Sequence, residues 1–386
     1  GYTGDFSLPK VDDLVKAIMD IGPSALLWKT DFSAFYKQLN TDPAQINTLG
    51  FAFAGRIYIE NRLPFGLRSA CLNAQRVTNA TILIFRTKQG AFAVGYVDDC
   101  VGASLPVRAV SDYDTFMQVS DELGLVKTLE KCVRPVPCLV WIGLEFDAPH
   151  MCLRIPPDKK QRIIAALTEW LSASHSSKSR LQSLLGTLNH AASAIVVGRA
   201  FTGHILDLIK ADEFPIELTR EFYLDVELWL KFLHSDNSVQ MSFKCPTDLP
   251  CDMLIAIATH GRNIALRIGQ TTQVFSITDD IPASSEIPYV YAFWLATKLA
   301  CDRLKGCWLT CSVGTQSAAD AINRARNVAP PLRSMVRHTW WLQATRDMVI
   351  RAVKGPCERD IDDLVQCSSK GQPVSVSDVP LNFIDL

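Results

Sequence analysis

The adjacent acids Asp98 and Asp99 constrain this chain more than any other feature. The segment from Ala91 to Val101 around them is apolar, with Gly90 and Gly102 near its ends. It reads as a hairpin with two acids at its tip. Burying carboxylates without partners is costly, and a hairpin tip relieves only part of that cost. Bound divalent cations remove the problem. Magnesium prefers oxygen ligands and keeps water positions free for substrate phosphates. An acid pair at a turn is common, so by itself it settles little.

A third acid narrows the choice. Asp31 ends another apolar run, Ala25-Leu26-Leu27-Trp28-Lys29-Thr30, which reads as a buried strand. Phosphoryl transfer by two metals needs carboxylates that converge from separate strands. The stretch between Asp31 and Asp98 leaves room for a hairpin, a loop and a helix. Phe51 to Phe53 and Ile57 to Ile59 flank Gly55 and read as that hairpin. Leu63-Pro64-Phe65-Gly66 reads as the loop, and 69–86 as the helix.

The remaining segments are read in the same way. Val11, Leu14, Val15 and Ile18 share one face of a helix over 11–22, which Gly22-Pro23 ends. Residues 113–123 read as a helix. Residues 138–146 and 151–155 read as one more pair of strands. From Pro157 the pattern is helical. Ile163, Leu167, Trp170 and Leu171 form one apolar face, and Leu181, Leu184, Leu185 and Leu188 another. Ser179 and Gln182 have the spacing of a capping box. Lys159, Lys160, Arg162, Lys178, Arg180 and Arg199 outnumber Asp158 and Glu169 here. Such a surplus suits a nucleic-acid groove or a solvated helix face.

Pro246 to Pro250 reads as a linker. Beyond it come three strands, a helix at 286–304, a strand at 307–313 and helices at 315–326 and 331–347. This βββαβα order describes a compact α/β domain. Residues 368–379 read as a loose tail.

Composition sets limits. Hydrophobic residues make up 48% and charged residues 20% of the 386, which is globular rather than disordered. No apolar run is long enough to span a membrane and no signal-peptide pattern opens the chain, so a soluble protein with no membrane partner is expected. The opening Gly-Tyr-Thr-Gly, without methionine, reads as a fragment or processed piece. The net charge of −1 is low for a nucleic-acid enzyme, but local patches decide binding. The 12 cysteines include no CxxC pair, so a zinc site is not expected. Cys71, Cys100, Cys132 and Cys138 read as free buried thiols, which suits a reducing, intracellular compartment.

Several segments, in order, resemble the reverse transcriptases of retroelements, most closely those of DIRS-like retrotransposon polyproteins. Leu27-Trp28-Lys29-Thr30-Asp31-Phe32-Ser33-Ala34-Phe35-Tyr36 is similar to the first catalytic motif, and Leu63 to Ala70 to the second. Tyr96-Val97-Asp98-Asp99 is similar to the third, and Leu123 to Cys132 to the fourth. Trp141 to Leu144 resembles a primer-grip hairpin. Ser183 to Leu188 and Gly198-Arg199 resemble a thumb. The first four together are highly specific.

The resemblance implies an α+β chain: a reverse transcriptase palm with partial fingers over 1–155, then a helical thumb or connection over 156–245. An RNase H-like α/β domain over 246–367 and a tail over 368–386 complete it. It implies RNA-directed DNA polymerisation, with dNTPs and an RNA or DNA template-primer as partners, and other polyprotein domains alongside. Asp31, Asp98 and Asp99 would hold two Mg²⁺ ions, or Mn²⁺ in their place. Lys131 would donate a proton to the leaving pyrophosphate; a surface lysine is the other reading. Tyr36 would block a ribose 2′-hydroxyl; a core tyrosine is the other reading. Phe65, Gly66 and Tyr96 would lie against the nucleotide or template. Trp141 and Gly143 would seat the primer end, with core packing as the rival for Trp141. Lys159, Lys160, Arg162, Lys178 and Arg180 would line the thumb's nucleic-acid face.

Two departures from the family pattern stand out. Ala34-Phe35 replaces an acid followed by alanine. In the last domain, acids are missing near Ala256 to Ala258, Tyr289 and Gly314-Thr315, with Glu286 one turn before Tyr289. Asp363 alone matches. Loss of three of four acids implies an inactive RNase H-like module. A retired nucleic-acid-binding or structural fragment is therefore the alternative to an active polymerase.

Overall fold

The computed structural model describes residues 8–211, 215–234, 241–242, 255–280, 287–301, 308–324, 330–346, 348–355, 361, 363, 366 and 371–374. The chain divides after Pro156 into two compact units: residues 1–156 with 242–244, and residues 157–241 with 245–386. No helix among the described residues is long and apolar enough to cross a membrane.

In the first unit, α1 (Val11–Ile21) buries Leu14, Val15, Ala17 and Ile18, and Gly22 ends it at φ 92°. Strand β1 (Leu26–Asp31) runs into the single-turn helix α2 (Phe35–Gln38). Strands β2 (Gly50–Phe53) and β3 (Arg56–Ile59) form the expected hairpin, turning through Ala54 and Gly55, both at positive φ. Helix α3 (Ala70–Gln89) precedes β4 (Phe92–Tyr96) and β5 (Asp99–Ser104). Helix α4 (Ala109–Glu122) and β6 (Val133–Val136) follow. The sheet order is β4-β5-β1-β6, with every neighbour antiparallel. The sequence reading misses β6. It is four residues long and contains Pro135, which is tolerated because β6 is an edge strand and its missing N–H costs no central ladder bond.

Trp28 anchors this sheet. Its ring packs edge-on against Phe85 and Tyr113, with Phe116 tilted 5.1 Å away, and its Nε1–H donates to Ser104 Oγ at 3.2 Å. Gly102 is its register partner on β5, and a Cβ there would meet the indole at 2.1 Å. Gly102 is therefore glycine because the ring occupies its side-chain space.

Residues 138–155 form three strands rather than two: β7 (Cys138–Trp141), β8 (Leu144–Asp147) and β9 (Cys152–Arg154), paired as a meander. The expected long strand breaks at Ile142-Gly143, with φ of 42° and 72°, the positive pair of a two-residue hairpin turn. Of the four cysteines expected to be buried, Cys100 is; Cys71 and Cys132 are partly exposed and Cys138 is exposed, all as free thiols. Cys138 opens a strand in which Cys138 and Val140 face outward and Leu139 and Trp141 are buried.

In the second unit, α5 (Pro157–Leu171) buries Ile163, Leu167 and Trp170 of its predicted face but leaves Leu171, at its last position, exposed, and α6 (Lys178–Ala191) buries Leu181, Leu184 and Leu188 with Leu185 only partly covered. The N-cap of α6 is Ser177 rather than Ser179: Ser177 Oγ accepts from Arg180 N, so the cap sits two residues earlier than its sequence signature. Strand β10 (His175–Ser176) pairs with β11 (Ile216–Glu217). Helices α7 (Gly203–Lys210) and α8 (Arg220–His234) complete the helical part, and β12 (Met241–Ser242) lies where the chain passes from the second unit to the 242–244 segment of the first.

Strands β13 (Ile255–His260), β14 (Asn263–Ile268) and β15 (Thr271–Ile277) form an antiparallel meander. After α9 (Ile287–Ala300), β16 (Trp308–Val313) pairs parallel to β13. After α10 (Gln316–Arg324) and α11 (Pro330–Thr345), β17 (Val349–Lys354) pairs parallel to β16. Part of the expected loose tail is a strand: β18 (Gln372–Val374) pairs parallel to β15. Its valine and the open edge of β15 supply the pairing that composition alone does not reveal. Arg337 of α11 reaches the buried Asp225 of α8 at 2.7 Å, and Arg333 reaches Asp207 at 2.6 Å, so ion pairs join the helical part to the sheet domain within this unit. The linker at 246–250 and Glu286 lie outside the described residues.

Candidate active site

The β4–β5 hairpin and the end of β1 bring the three acids of the sequence reading together. Asp31 and Asp99 are register partners across β1 and β5, and Asp98 sits in the two-residue turn between Tyr96 and Asp99. Phe32 N–H donates to Asp98 O at 3.0 Å, and Thr128 N–H to Asp31 O at 2.9 Å, tying the backbone of both acids to neighbouring segments.

The turn is strained. Val97 has φ 57°, a left-handed conformation that a β-branched residue rarely adopts, costing on the order of 1–3 kcal/mol. Two polar residues of α3 hold it there. Gln75 Nε2 donates to Gly95 O at 2.8 Å, and Gln75 Oε1 accepts from Val97 N at 2.8 Å. Thr78 Oγ1 donates to Val97 O. Sequence reasoning missed both residues. Their signal is a pair of polar side chains, three apart, on the buried face of a helix.

Lysines partner two of the acids. Lys29 Nζ lies 3.2 Å from both carboxylate oxygens of Asp99, with hydrogen-bond geometry only to Oδ2, which leaves the buried Oδ1 without a hydrogen bond. Lys131 Nζ lies 3.4 Å from both oxygens of Asp31, on a side chain 61% exposed. Lys29 precedes Asp31 by two residues on the same strand face, a spacing visible in the sequence.

Burial raises the pKa of Asp99 to about 6, with Lys29 lowering it and Asp31 and Asp98 repelling its charge. Burial also raises the pKa of Asp98, and the Asp31 charge adds to the shift. The carboxylates thus sense one another. Among the described residues, no group of three or more His, Cys, Asp and Glu side chains is disposed to hold a metal ion as it stands. The donor set itself, all carboxylate oxygen with one buried oxygen lacking a hydrogen bond, fits a hard dication.

Around the acids, Tyr36 and Phe65 pack ring against ring at 4.7 Å. The Tyr36 hydroxyl is pushed up to about 12, first by burial and then by Cys71. Phe65 is 73% exposed, Gly66 follows it at φ 86°, and Tyr96 is 39% exposed. Trp141 is fully buried, and its Nε1–H donates to the Asp99 carbonyl at 3.0 Å. Gly143 lies in the β7–β8 turn. The departure at Ala34-Phe35 is accommodated by packing: Ala34 takes φ 42° and Phe35 stacks on Phe32 in the core.

In the second unit, Arg180 lies over the Trp170 ring, with centroid 4.9 Å away, beside a groove between α5 and α6. Lys178 is exposed, Lys160 is partly exposed, and Arg162 pairs with Asp158 at 2.8 Å. Lys159 Nζ lies 3.2 Å from His190 Nδ1, and burial lowers its pKa. Ala256 and Ala258 are buried on β13 against Ala265 and Ile361; Tyr289 is buried, and Asp363 is exposed.

No protein-family model and no curated protein sequence matches the chain. Its fold matches solved structures of foamy viral protease-reverse transcriptase. One, in complex with double-stranded DNA, aligns at TM-score 0.52 and 14% identity over 93% of this chain. A second, with an RNA/DNA hybrid, aligns at 0.50 and 15% over 95%. A third, with double-stranded DNA, aligns at 0.51 and 12% over 93%. The chain spans 61%, 48% and 73% of the lengths of those three chains, respectively. The chain therefore has a reverse transcriptase-like mixed α/β fold.

Proposed function

We propose that the chain is the RNA-directed DNA polymerase part of a retroelement, of DIRS-like type, adding dNTPs to a primer 3′-hydroxyl on an RNA or DNA template. The observation that carries this reading is the pairing of Asp31 with Asp99 across β1 and β5, with Asp98 in the adjoining turn. Asp31 and Asp98, with Asp99 beside them, would hold two Mg²⁺ ions, or Mn²⁺ in their place. When bound, the metal would lower the pKa of the primer hydroxyl and neutralise triphosphate charge.

The chain's own side chains supply the rest. Lys29 balances the charge of Asp99. Lys131, exposed and next to Asp31, holds a proton at Nζ within reach of a leaving pyrophosphate. Tyr36, backed by Phe65, closes the space a ribose 2′-hydroxyl needs. Tyr96 and Gly66 border the same space. Trp141 fixes the Asp99 backbone from inside the core and so positions the acids, while Gly143 shapes the turn toward the primer. Lys159, Lys160, Arg162, Lys178 and Arg180 form the thumb's contribution to phosphate binding.

The βββαβα order and the sheet order β17-β16-β13-β14-β15 support an RNase H-like module over 246–367. Buried alanines at 256 and 258, in the stretch where one metal-binding Asp is expected, make it inactive in this reading.

One observation favours the alternative of a retired nucleic-acid-binding or structural fragment. Two of the three acids already have a lysine partner, Lys29 at 3.2 Å from Asp99 and Lys131 at 3.4 Å from Asp31. Template-directed dNTP addition by the wild type and its loss in Asp98→Asn test the polymerase reading. A calorimetric Mg²⁺ titration that shows no binding favours the scaffold.

A further inference from the structure

The β2–β3 hairpin has two chemically different faces. Its register pairs Phe51 with Tyr58 and Phe53 with Arg56, which places these four side chains on one face. Ile57 and Ile59 take the other face with Ala52 and Gly50. Every residue of both strands is exposed, including Phe51 at 53% and Phe53 at 69%. The Phe51 and Tyr58 rings stack at 5.5 Å with planes 20° apart, forming a flat aromatic surface.

We propose that this aromatic face of the hairpin stacks the unpaired bases of single-stranded nucleic acid. Three aromatic rings and an arginine on a solvent-facing sheet are the chemistry that binds unpaired bases, because every base has a π-face and guanidinium serves both ring and phosphate. Charge agrees within the strands: between Pro43 and Ile59 the only charged residue is Arg56, and Glu60, next along the chain, is paired with Lys37. Position agrees too. Lys37 of α2 pairs with Glu60 just beyond β3, and Asn40 bridges to Arg62, so the hairpin is tethered to the segment that carries Tyr36. The aliphatic face is equally exposed, with Ile57 at 83%, but lacks both rings and charge. This binding requires neither metal nor dNTP and so extends beyond the polymerase reading.

The test is fluorescence anisotropy with labelled oligo(dT) and oligo(U), without Mg²⁺ or dNTPs. It compares wild type, the triple variant Phe51→Ser, Phe53→Ser, Tyr58→Ser, and the control Ile57→Ser, Ile59→Ser. All substituted side chains are exposed, and melting curves check that each variant is folded. The triple variant is expected to lose about 100-fold or more in affinity for both oligonucleotides, from two or more stacked bases. The aliphatic control keeps wild-type affinity. No binding by the wild type, no loss in the triple variant, equal loss in the control, or loss with only one sugar type overturns the proposal. So does a wild-type self-association in sedimentation that the triple variant abolishes, since the face would then bind protein. Incorporation at a primed template is scored separately, so failure of the polymerase reading leaves this result interpretable.

Discussion

Asp31 and Asp99 face each other as register partners on β1 and β5, and each carries a lysine: Lys131 at 3.4 Å and Lys29 at 3.2 Å, respectively. The arrangement holds two like charges on adjacent strands by giving each an opposite one. The proposed polymerase chemistry depends on how firmly the two strands and the adjoining turn are set.

The firmest setting is Trp28 against Gly102. A methyl group at 102 would overlap the indole. Gly102→Ala is expected to cost about 1–3 kcal/mol or more in urea unfolding, the range for overpacking. An unchanged midpoint would show that the ring shifts without penalty.

Gln75 holds the turn with two hydrogen bonds. Gln75→Ala leaves a buried N–H and C=O unpaired and is expected to cost about 1–3 kcal/mol in stability. With only Thr78 left to brace it, Val97 relaxes from its left-handed conformation and the acids lose register. Incorporation is expected to fall by roughly tenfold or more while template-primer binding persists. Full incorporation in this variant would show that the turn holds without α3.

Tyr36→Ala removes the ring that packs on Phe65. Discrimination against ribonucleotides is expected to drop by roughly tenfold or more in single-nucleotide incorporation, with dNTP addition retained. Unchanged discrimination would place the gate elsewhere.

The second unit has its own pH dependence. His338 of α11 is buried, accepts a hydrogen bond from Trp294 Nε1 at 3.0 Å, and has its pKa lowered from 6.5 to about 4 by burial and then by Lys298. The unfolded chain therefore binds the proton more readily. This contribution to stability is full above pH 6.5 and is lost as pH falls toward 4. At about pH 5 the loss is about 2 kcal/mol. Thermal melts should show a smaller acid sensitivity in His338→Gln; an identical pH profile would contradict the assignment.

Much of the first unit was legible in the sequence because its signals are local. Asp31 closes an apolar strand, Asp98-Asp99 interrupts another, and Gly55 and Gly90 mark turns. What escaped depends on tertiary context. Strand β6 forms only because β1 offers an edge, and β18 only because β15 does. Gln75 and Thr78 look like ordinary helix residues until the turn they brace is folded against them. Lys29 was in view but had no partner until β1 and β5 came into register. The N-cap of α6 slipped from Ser179 to Ser177 because several serines in a row offer equivalent caps, and only packing selects one.

Whether Asp98 acts in polymerisation is decided by deoxynucleotide incorporation on a primed RNA template with Mg²⁺, comparing wild type with Asp98→Asn. Wild type is expected to incorporate and the variant to lose about 1,000-fold or more, equivalent to about 4 kcal/mol of transition-state stabilisation, with template-primer affinity unchanged. Equal synthesis by both proteins would contradict this expectation, because the acids at the β4–β5 turn would then not be the ones that act.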